Sequence, residues 1–359
     1  MPLVAHTDLP TFQRLHEEGQ EILSVDRARR QDIREMHIGL LNMMPDAALE
    51  ATERQFFRLV GAANSIVQFH MHPFTIAGIA RGERASEHIA RFYEDFDRIR
   101  ADGLDGLIVS GANVTQADLK REAFWEPLTR VFDWARVHVT STLCSCLATH
   151  ALIEYGYGIR RSPLGSKRWG VYSHRVVDKR HPLVANINTR FDVPHSRYNE
   201  IFREDMERVG LRVLVESEEA GVHLAVSPDL LRVVFFQGHP EYDTISLLKE
   251  YKRELNLYHS GQREDYPPFP EHYFNQDATG LLNTYGQRLR QSRHAGTGIP
   301  EFPEETLLKH LDITWRDTAK AVFNNWLGCI YRVTDQDRRN PFQRHIDIND
   351  PLGLTSHEQ

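Results

Sequence analysis

Residues 137–150 read VHVTSTLCSCLATH, and they divide abruptly between two patterns. Residues 137–143 alternate valine and leucine with β-branched threonine, which predicts a strand. From Leu147 onward the apolar residues have helical spacing, so Cys146 lies where strand becomes helix. This is the pattern of a nucleophile elbow, in which the free N–H groups of a helix N-terminus stabilise a thiolate and later an oxyanion. An isolated cysteine is more often a small buried residue, and this stretch alone leaves that alternative open.

A second signal lies far downstream, where residues 230–236 (LLRVVFF) form a predicted buried strand. The strand runs into QGHPEY, and a helix is expected from about Thr244. His239 and Glu241 therefore follow the carboxyl end of a strand, the edge at which open α/β sheets bind ligands. A cysteine nucleophile needs a base, and that base needs an orienting group. Cys146, His239 and Glu241 supply these three roles, whereas a single histidine in a turn would be an ordinary polar residue.

The order of predicted elements indicates an α/β fold with a mostly parallel sheet flanked by helices. Strands and helices alternate from Met36 to Cys146, which implies right-handed crossovers. Three closely spaced strands then follow on the same sheet in antiparallel pairing, at residues 212–217, 222–227 and 231–236. The pattern also predicts a polar loop opening a helical stretch at 192–198, and helices at 242–257 and 304–331.

We divide the chain into an N-terminal helical extension (1–35), a main domain (36–333) and a polar C-terminal tail (334–359). The net charge of −7 gives no reason to expect nucleic acid or an anionic membrane as partner. No apolar run is long enough to span a bilayer, and the N-terminus lacks the pattern of a secretory signal. Three cysteines are too few for a disulfide framework, so we expect a cytoplasmic location.

His70 and His72 form a second candidate site. They alternate along one predicted strand and so share a face, as a pair of metal ligands would. No third ligand is apparent in the sequence, and we therefore interpret both as polar strand-end residues. We expect no bound metal and no bound cofactor.

Seven motifs together resemble the homoserine O-succinyltransferase family of homoserine O-acyltransferases, which begin methionine biosynthesis. The likeness runs from about Met36 to Tyr331 and includes LLNMMPDAALEATERQF, DGLIVSGA, STLCSC, SKRWGVYSH, VPHSRY, GHPEYD and FNNWL. The resemblance implies a flavodoxin-like sheet, similar to class I glutamine amidotransferases, with added helices. It also implies a homodimer that acts on the small molecules L-homoserine and acyl-CoA.

The resemblance implies that Cys146 is the acyl-thioester nucleophile, His239 the base and Glu241 its partner. Cys144 stands where the family usually has an apolar residue, and we interpret it as packing. We expect the oxyanion to be held by backbone N–H groups at the elbow and at the neighbouring strand end, namely those of Leu147, Gly111 and Ala112.

The same resemblance places Lys167, Ser196 and Arg253 at substrate-contacting positions. The two cations suit a carboxylate of homoserine or of a succinyl group, and the serine suits a small polar substrate. Thr115 occupies a position that helps choose the acyl donor in this family, where glycine accompanies the use of succinyl-CoA and glutamate the use of acetyl-CoA. Asn113 occupies a position where the family usually has proline. Because Thr115 lacks a negative charge, we expect succinyl-CoA as co-substrate, with acetyl-CoA as the alternative donor.

A glutamine amidotransferase-type amidohydrolase is the rival enzyme, since it uses the same Cys–His–Glu set. Its elbow normally reads Gly-x-Cys-x-Gly, but Cys144 and Ala148 occupy the flanking positions here. A binding module that keeps the fold without chemistry is the non-enzyme alternative, and the intact triad argues against it.

Overall fold

The computed structural model describes residues 3–63 and 66–354. Eleven strands among these residues join one sheet. The strands are β1 Leu3–Ala5, β2 Ile22–Ser24, β3 Arg34–Leu41, β4 Val67–Phe74, β5 Leu104–Val109, β6 Val139–Ser145, β7 Ser162–Val176, β8 Arg190–Glu200, β9 Arg212–Ser217, β10 Gly221–Val226 and β11 Val233–Phe236. Their order in the sheet is β2-β1-β4-β3-β5-β6-β11-β10-β9-β7-β8.

Helices cover both faces of this sheet. They are α1 Pro10–Glu17, α2 Val25–Arg29, α3 Asp46–Gly61, α4 Glu83–Phe92, α5 Phe96–Asp102, α6 Trp125–His138, α7 Leu147–Tyr157, α8 Arg203–Arg208, α9 Ser246–His259, α10 Gln276–Ala295, α11 Glu304–Leu308 and α12 Arg316–Val333. Apolar side chains of α3 and α12 pack on one face, and those of α6 and α7 pack on the other. Among the described residues, no helix combines the length and apolar character needed to cross a membrane.

The sheet confirms the predicted mostly parallel architecture. All pairings from β2 to β11 are parallel, and those from β11 to β8 are antiparallel. The three closely spaced strands are β9, β10 and β11, as predicted. Ser145 pairs with Phe236, so β6 and β11 end side by side and bring their following loops to one edge.

Two predicted elements differ from the observed ones, and one observed helix was not predicted. Residues 192–198 are not a loop opening a helix but belong to β8, because β7 supplies a long antiparallel partner. The predicted helix at 304–331 is broken into α11 and α12. Helix α10 went unpredicted, although Leu282, Tyr285 and Leu289 recur along it at helical spacing and are buried.

Both terminal segments pack on the main body. The first 35 residues contain α1 as predicted, but β1 and β2 also extend the sheet. In the polar tail, Phe342 is buried in the core, and the Gln343 N–H donates to the Val333 carbonyl at 3.0 Å. The Thr140 hydroxyl also donates to the Pro341 carbonyl. The described part of the tail is therefore held against the domain, while the proposed domain limits stay predictions.

Candidate active site

Cys146 is held in a strained turn between β6 and α7. Its φ of 51° and ψ of −107° lie outside the regions that non-glycine residues favour. Such backbone strain costs on the order of 1–3 kcal/mol and persists only where the surroundings fix it. The Cys146 N–H donates to the Phe236 carbonyl at 2.7 Å, and the Thr149 hydroxyl lies 2.9 Å from the carbonyls of Cys144 and Phe236. The turn thus places Cys146 at the ligand edge of the sheet.

The loop after β11 brings His239 to the same edge. The His239 N–H donates to the Pro194 carbonyl of β8 at 2.7 Å. This close approach requires glycine at position 238, since a Cβ there would lie 2.7 Å from Val193 Cγ1 and 2.8 Å from His195 Nε2. The Gly-His pair of the sequence motif therefore has a packing reason as well as a chemical one.

Cys146, His239 and Glu241 form a linked set. The His239 Nδ1 lies 2.8 Å from Glu241 Oε1, and the Cys146 side chain lies close enough to the His239 ring to interact with it electrostatically. Burial acts to lower the pKa of His239, but the charges of Cys146 and Glu241 outweigh it and raise that pKa well above its usual value. The arrangement therefore favours the protonated imidazolium form of His239.

The predicted oxyanion donors lie on the two segments next to Cys146. The first turn of α7 leaves N–H groups without intrahelical partners, and that of Leu147 is next to Cys146. Gly111 follows β5 on the neighbouring strand, and a Cβ built on it would lie 3.7 Å from Cys146 Cβ. Leu147 and Gly111 thus stand beside the nucleophile, and Ala112 continues the same loop.

Lys167 and Ser196 meet on a residue that the sequence did not point to, Glu250 of α9. The Lys167 Nζ and the Ser196 hydroxyl donate to Glu250 Oε2 at 3.0 and 2.6 Å, and the Tyr242 hydroxyl donates to Oε1 at 2.9 Å. Burial would raise the pKa of Glu250, but Lys167 and the two hydroxyls outweigh it and lower that pKa. The Tyr242 ring also stacks on His239 at 4.3 Å, which joins this cluster to the triad.

Arg253 and Thr115, also predicted as substrate-site residues, have side-chain partners other than Glu250. Arg253 lies three residues farther along α9, is 59% exposed, and has its guanidinium 3.4 Å from the Glu254 carboxylate. Thr115 is exposed in the loop after β5, and its N–H donates to Glu122 Oε1 at 2.5 Å. The Glu122 carboxylate also accepts the Gln116 N–H at 2.6 Å, so it fixes the shape of this loop.

Arg161 is a further functional candidate that the sequence did not single out. Its charge is close enough to interact with both Cys146 and Glu122, and its Nη2 lies 3.4 Å from the Gln116 carbonyl. Its buried Nε has no hydrogen-bond partner within the described residues. The basic composition around residues 160–168 was the signal that could have found it. Cys144, by contrast, is fully buried, and burial raises its pKa, in keeping with a packing role.

Sequence comparison with known proteins points to one family. A family model described as homoserine O-succinyltransferase matches residues 2–336. A protein of that name from Methylococcus capsulatus is 78% identical over 99% of this chain and 100% of its own length. One from Methylobacter tundripaludum is 67% identical over the same shares. Among solved structures, a glutamine amidotransferase from Thermotoga maritima is 10% identical with a TM-score of 0.43, covering 84% of this chain and 99% of that one.

Proposed function

The chain belongs to the homoserine O-succinyltransferase family, and we propose on this premise that it transfers a succinyl group from succinyl-CoA to L-homoserine through a Cys146 thioester. It is an acyltransferase, and its place in methionine biosynthesis follows from the family. The observation that supports the thioester is the contact chain from Cys146 through His239 to Glu241, set on a strained turn at a helix N-terminus.

In the first half-reaction, His239 holds the thiol proton while the Cys146 thiolate attacks the thioester carbon of succinyl-CoA. Backbone N–H groups at Leu147 and at Gly111–Ala112 stabilise the tetrahedral oxyanion. The carbon–sulfur bond to CoA then breaks, and His239 gives its proton to the departing CoA thiolate. Glu241 keeps the imidazole oriented and supports its positive charge throughout.

In the second half-reaction, neutral His239 accepts the proton of the homoserine hydroxyl as that oxygen attacks the acyl-enzyme. The second tetrahedral intermediate collapses to O-succinylhomoserine, and Cys146 leaves as a thiolate beside the imidazolium. Because CoA leaves before homoserine attacks the covalent acyl-enzyme, the mechanism is ping-pong, and one base serves both half-reactions.

We assign the two substrates to different sides of Cys146. Lys167, Ser196 and Glu250 would hold homoserine, because Glu250 is linked through Tyr242 to the base that must meet the hydroxyl. Arg161 would bind the succinyl carboxylate, because its buried Nε has no hydrogen-bond partner among the described residues and its guanidinium interacts electrostatically with Cys146.

Arg253 and Thr115 are proposed to act at the edges of these two sites. Arg253 is a second cation for a substrate carboxylate, and Thr115 helps choose the acyl donor. We further propose a cytoplasmic homodimer whose acyl transfer uses no bound cofactor and which has no nucleic-acid or membrane partner. Size-exclusion chromatography with light scattering tests the dimer, which would elute as a monomer of 41.6 kDa if the proposal were wrong.

Intact-protein mass spectrometry after mixing with succinyl-CoA or acetyl-CoA, without homoserine, tests the mechanism. We expect a succinyl adduct that peptide mapping assigns to Cys146 and that disappears when homoserine is added. The matched control is Cys146→Ser, which should give neither adduct nor full activity. An acetyl adduct alone would overturn the choice of donor, and an active Cys146→Ser enzyme would overturn the thioester.

A further inference from the structure

Four histidines and two glutamates gather at the N-terminal side of the sheet, away from the catalytic residues. His37 of β3 is the register partner of His70 of β4, and His72 lies two residues farther along the same face. His6 follows β1, whose Leu3 pairs with Phe69, so His6 comes level with His72. Glu94, after α4, joins them because its N–H donates to the Pro73 carbonyl of β4 at 2.8 Å.

Three of these side chains point ligand atoms at one small space. One nitrogen each of His6 and His72 and a carboxylate oxygen of Glu94 lie within 4.8 Å of one another. The His72 Nδ1 is 2.6 Å from Glu94 Oε1, and the His6 Nε2 is 4.0 Å from the same oxygen. Ligand atoms about 2.0–2.2 Å from a tetrahedral zinc ion stand a little over 3 Å apart, so small side-chain shifts would suffice.

Hydrogen bonds indicate which nitrogen of each ring would face the ion. In His72 that nitrogen is Nδ1, which is now hydrogen-bonded to Glu94 Oε1 and would give up its proton on metal binding. The His6 Nδ1 lies 3.1 Å from the Val4 carbonyl and so carries its proton, which leaves a lone pair on Nε2. That Nε2 is buried and without a hydrogen-bond partner among the described residues. The His72 Nε2 lies 2.8 Å from His37 Nδ1, whose other nitrogen is 3.8 Å from Glu35. Ring partners of this kind are what orient metal-bound histidines.

The charges near the cluster also suit a cation. Glu94 and Glu35 each bring a carboxylate, while the nearest opposing charge, Arg338, is engaged by Asp102 through its Nε and Nη2. The two carboxylates therefore favour a cation at this place.

We propose that His6, His72 and Glu94 bind a divalent transition-metal ion, zinc being the best match, with His37 positioning His72. Two imidazoles and a carboxylate are an established zinc ligand set, and the fourth position is left for water. A cavity of about 800 Å³, lined by Tyr93, Glu94 and Trp134 among others, borders the Glu94 ligand.

The site is tested on the full chain without a histidine tag, stripped with chelator and titrated with zinc chloride against a chromophoric chelator. We expect wild type to hold one tight zinc ion that His6→Gln and Glu94→Gln lose. His37→Gln should still bind the ion, but with an affinity roughly 10- to 100-fold lower, as changes beside a metal ligand typically cause. X-ray absorption at the zinc edge should report two imidazoles with oxygen ligands.

The matched control is His272→Gln, in an exposed cluster with Glu219 and Glu271 whose ligand atoms are also close together. This variant, and Cys146→Ser in the active site, should keep the tight ion. Circular dichroism confirms that the variants fold, and half-buried His6 is the ligand whose loss disturbs packing least. Undiminished zinc binding by folded His6→Gln and Glu94→Gln would overturn the proposal, as would loss of zinc only in His272→Gln or only in Cys146→Ser.

Discussion

Replacing Glu250 by glutamine tests whether this residue holds the acceptor side of the site. The change keeps the shape but removes the charge that binds Lys167, Ser196 and Tyr242 at 3.0, 2.6 and 2.9 Å. Hydrogen bonds to a charged group contribute about 1.5–3 kcal/mol. If Lys167 and Ser196 bind homoserine, losing their anchor should lower kcat/KM for homoserine roughly 10- to 150-fold, since each 1.36 kcal/mol is tenfold.

Because the proposed mechanism is ping-pong, the two half-reactions can be timed separately. Rapid mixing of Glu250→Gln with succinyl-CoA, followed by mass spectrometry, should give acylation within about threefold of wild type. When homoserine is added to the purified acyl-enzyme, transfer of the succinyl group should then be slower in Glu250→Gln than in wild type. The charge-neutral matched control is Tyr242→Phe, which removes one donor to Glu250 while keeping the ring that stacks on His239. Exposed Lys249→Gln controls for a charge change on the same helix.

The outcome separates two roles for the cluster. Equal loss in acylation and in transfer to homoserine would refute the assignment, because it would mean that Glu250 acts on the triad through Tyr242. Loss in acylation alone would place the succinyl carboxylate, and not homoserine, at Lys167. Lys249→Gln should leave both half-reactions unchanged.

Three further predictions follow from other contacts. Glu241→Gln should slow acylation roughly 10²–10⁴-fold while the protein stays folded, because His239 loses its orienting charge. Stopped-flow detection of CoA release measures the acylation rate, and a decrease under threefold would contradict the orienting role of Glu241. Arg161→Gln should raise KM for succinyl-CoA about 10- to 100-fold and leave the slower use of acetyl-CoA unchanged, and equal effects on both donors would count against a carboxylate contact. Burial lowers the pKa of His150 to about 3, so between pH 7.5 and 5.5 the unfolded chain takes up a proton that the folded one does not. This proton uptake lowers the free energy of unfolding by roughly 1.4 kcal/mol over that pH range. In urea unfolding experiments, His150→Gln should reduce the change in unfolding free energy between the two pH values by that amount. The same change in the variant as in wild type would contradict the prediction.

Most of the parallel half of the fold was predictable, because its signals are local. The largely apolar stretch 104–109 and the β-branched stretch 139–145 are typical of buried strands, and helical periodicity between them implies crossovers. The elbow at Cys146 and the turn at Gly238-His239 were visible for the same reason. Residues 192–198 were misjudged, because a polar segment with a proline becomes a strand only when β7 lies beside it.

The sequence by itself determined the α/β order of elements, the family resemblance and the three residues of the proposed triad, because each depends on neighbours within one strand-loop-helix unit. Only the tertiary structure decided which residues distant in the sequence contact these units. Glu250 joins Lys167 and Ser196 across separations of 83 and 54 residues. His70 and His72 lacked a partner in the sequence, and His6 and Glu94 reach them only because β1 pairs with β4 and the chain returns after α4. Such contacts have no local pattern, since a side chain's partner across a sheet is set by strand order and register and not by its own neighbours.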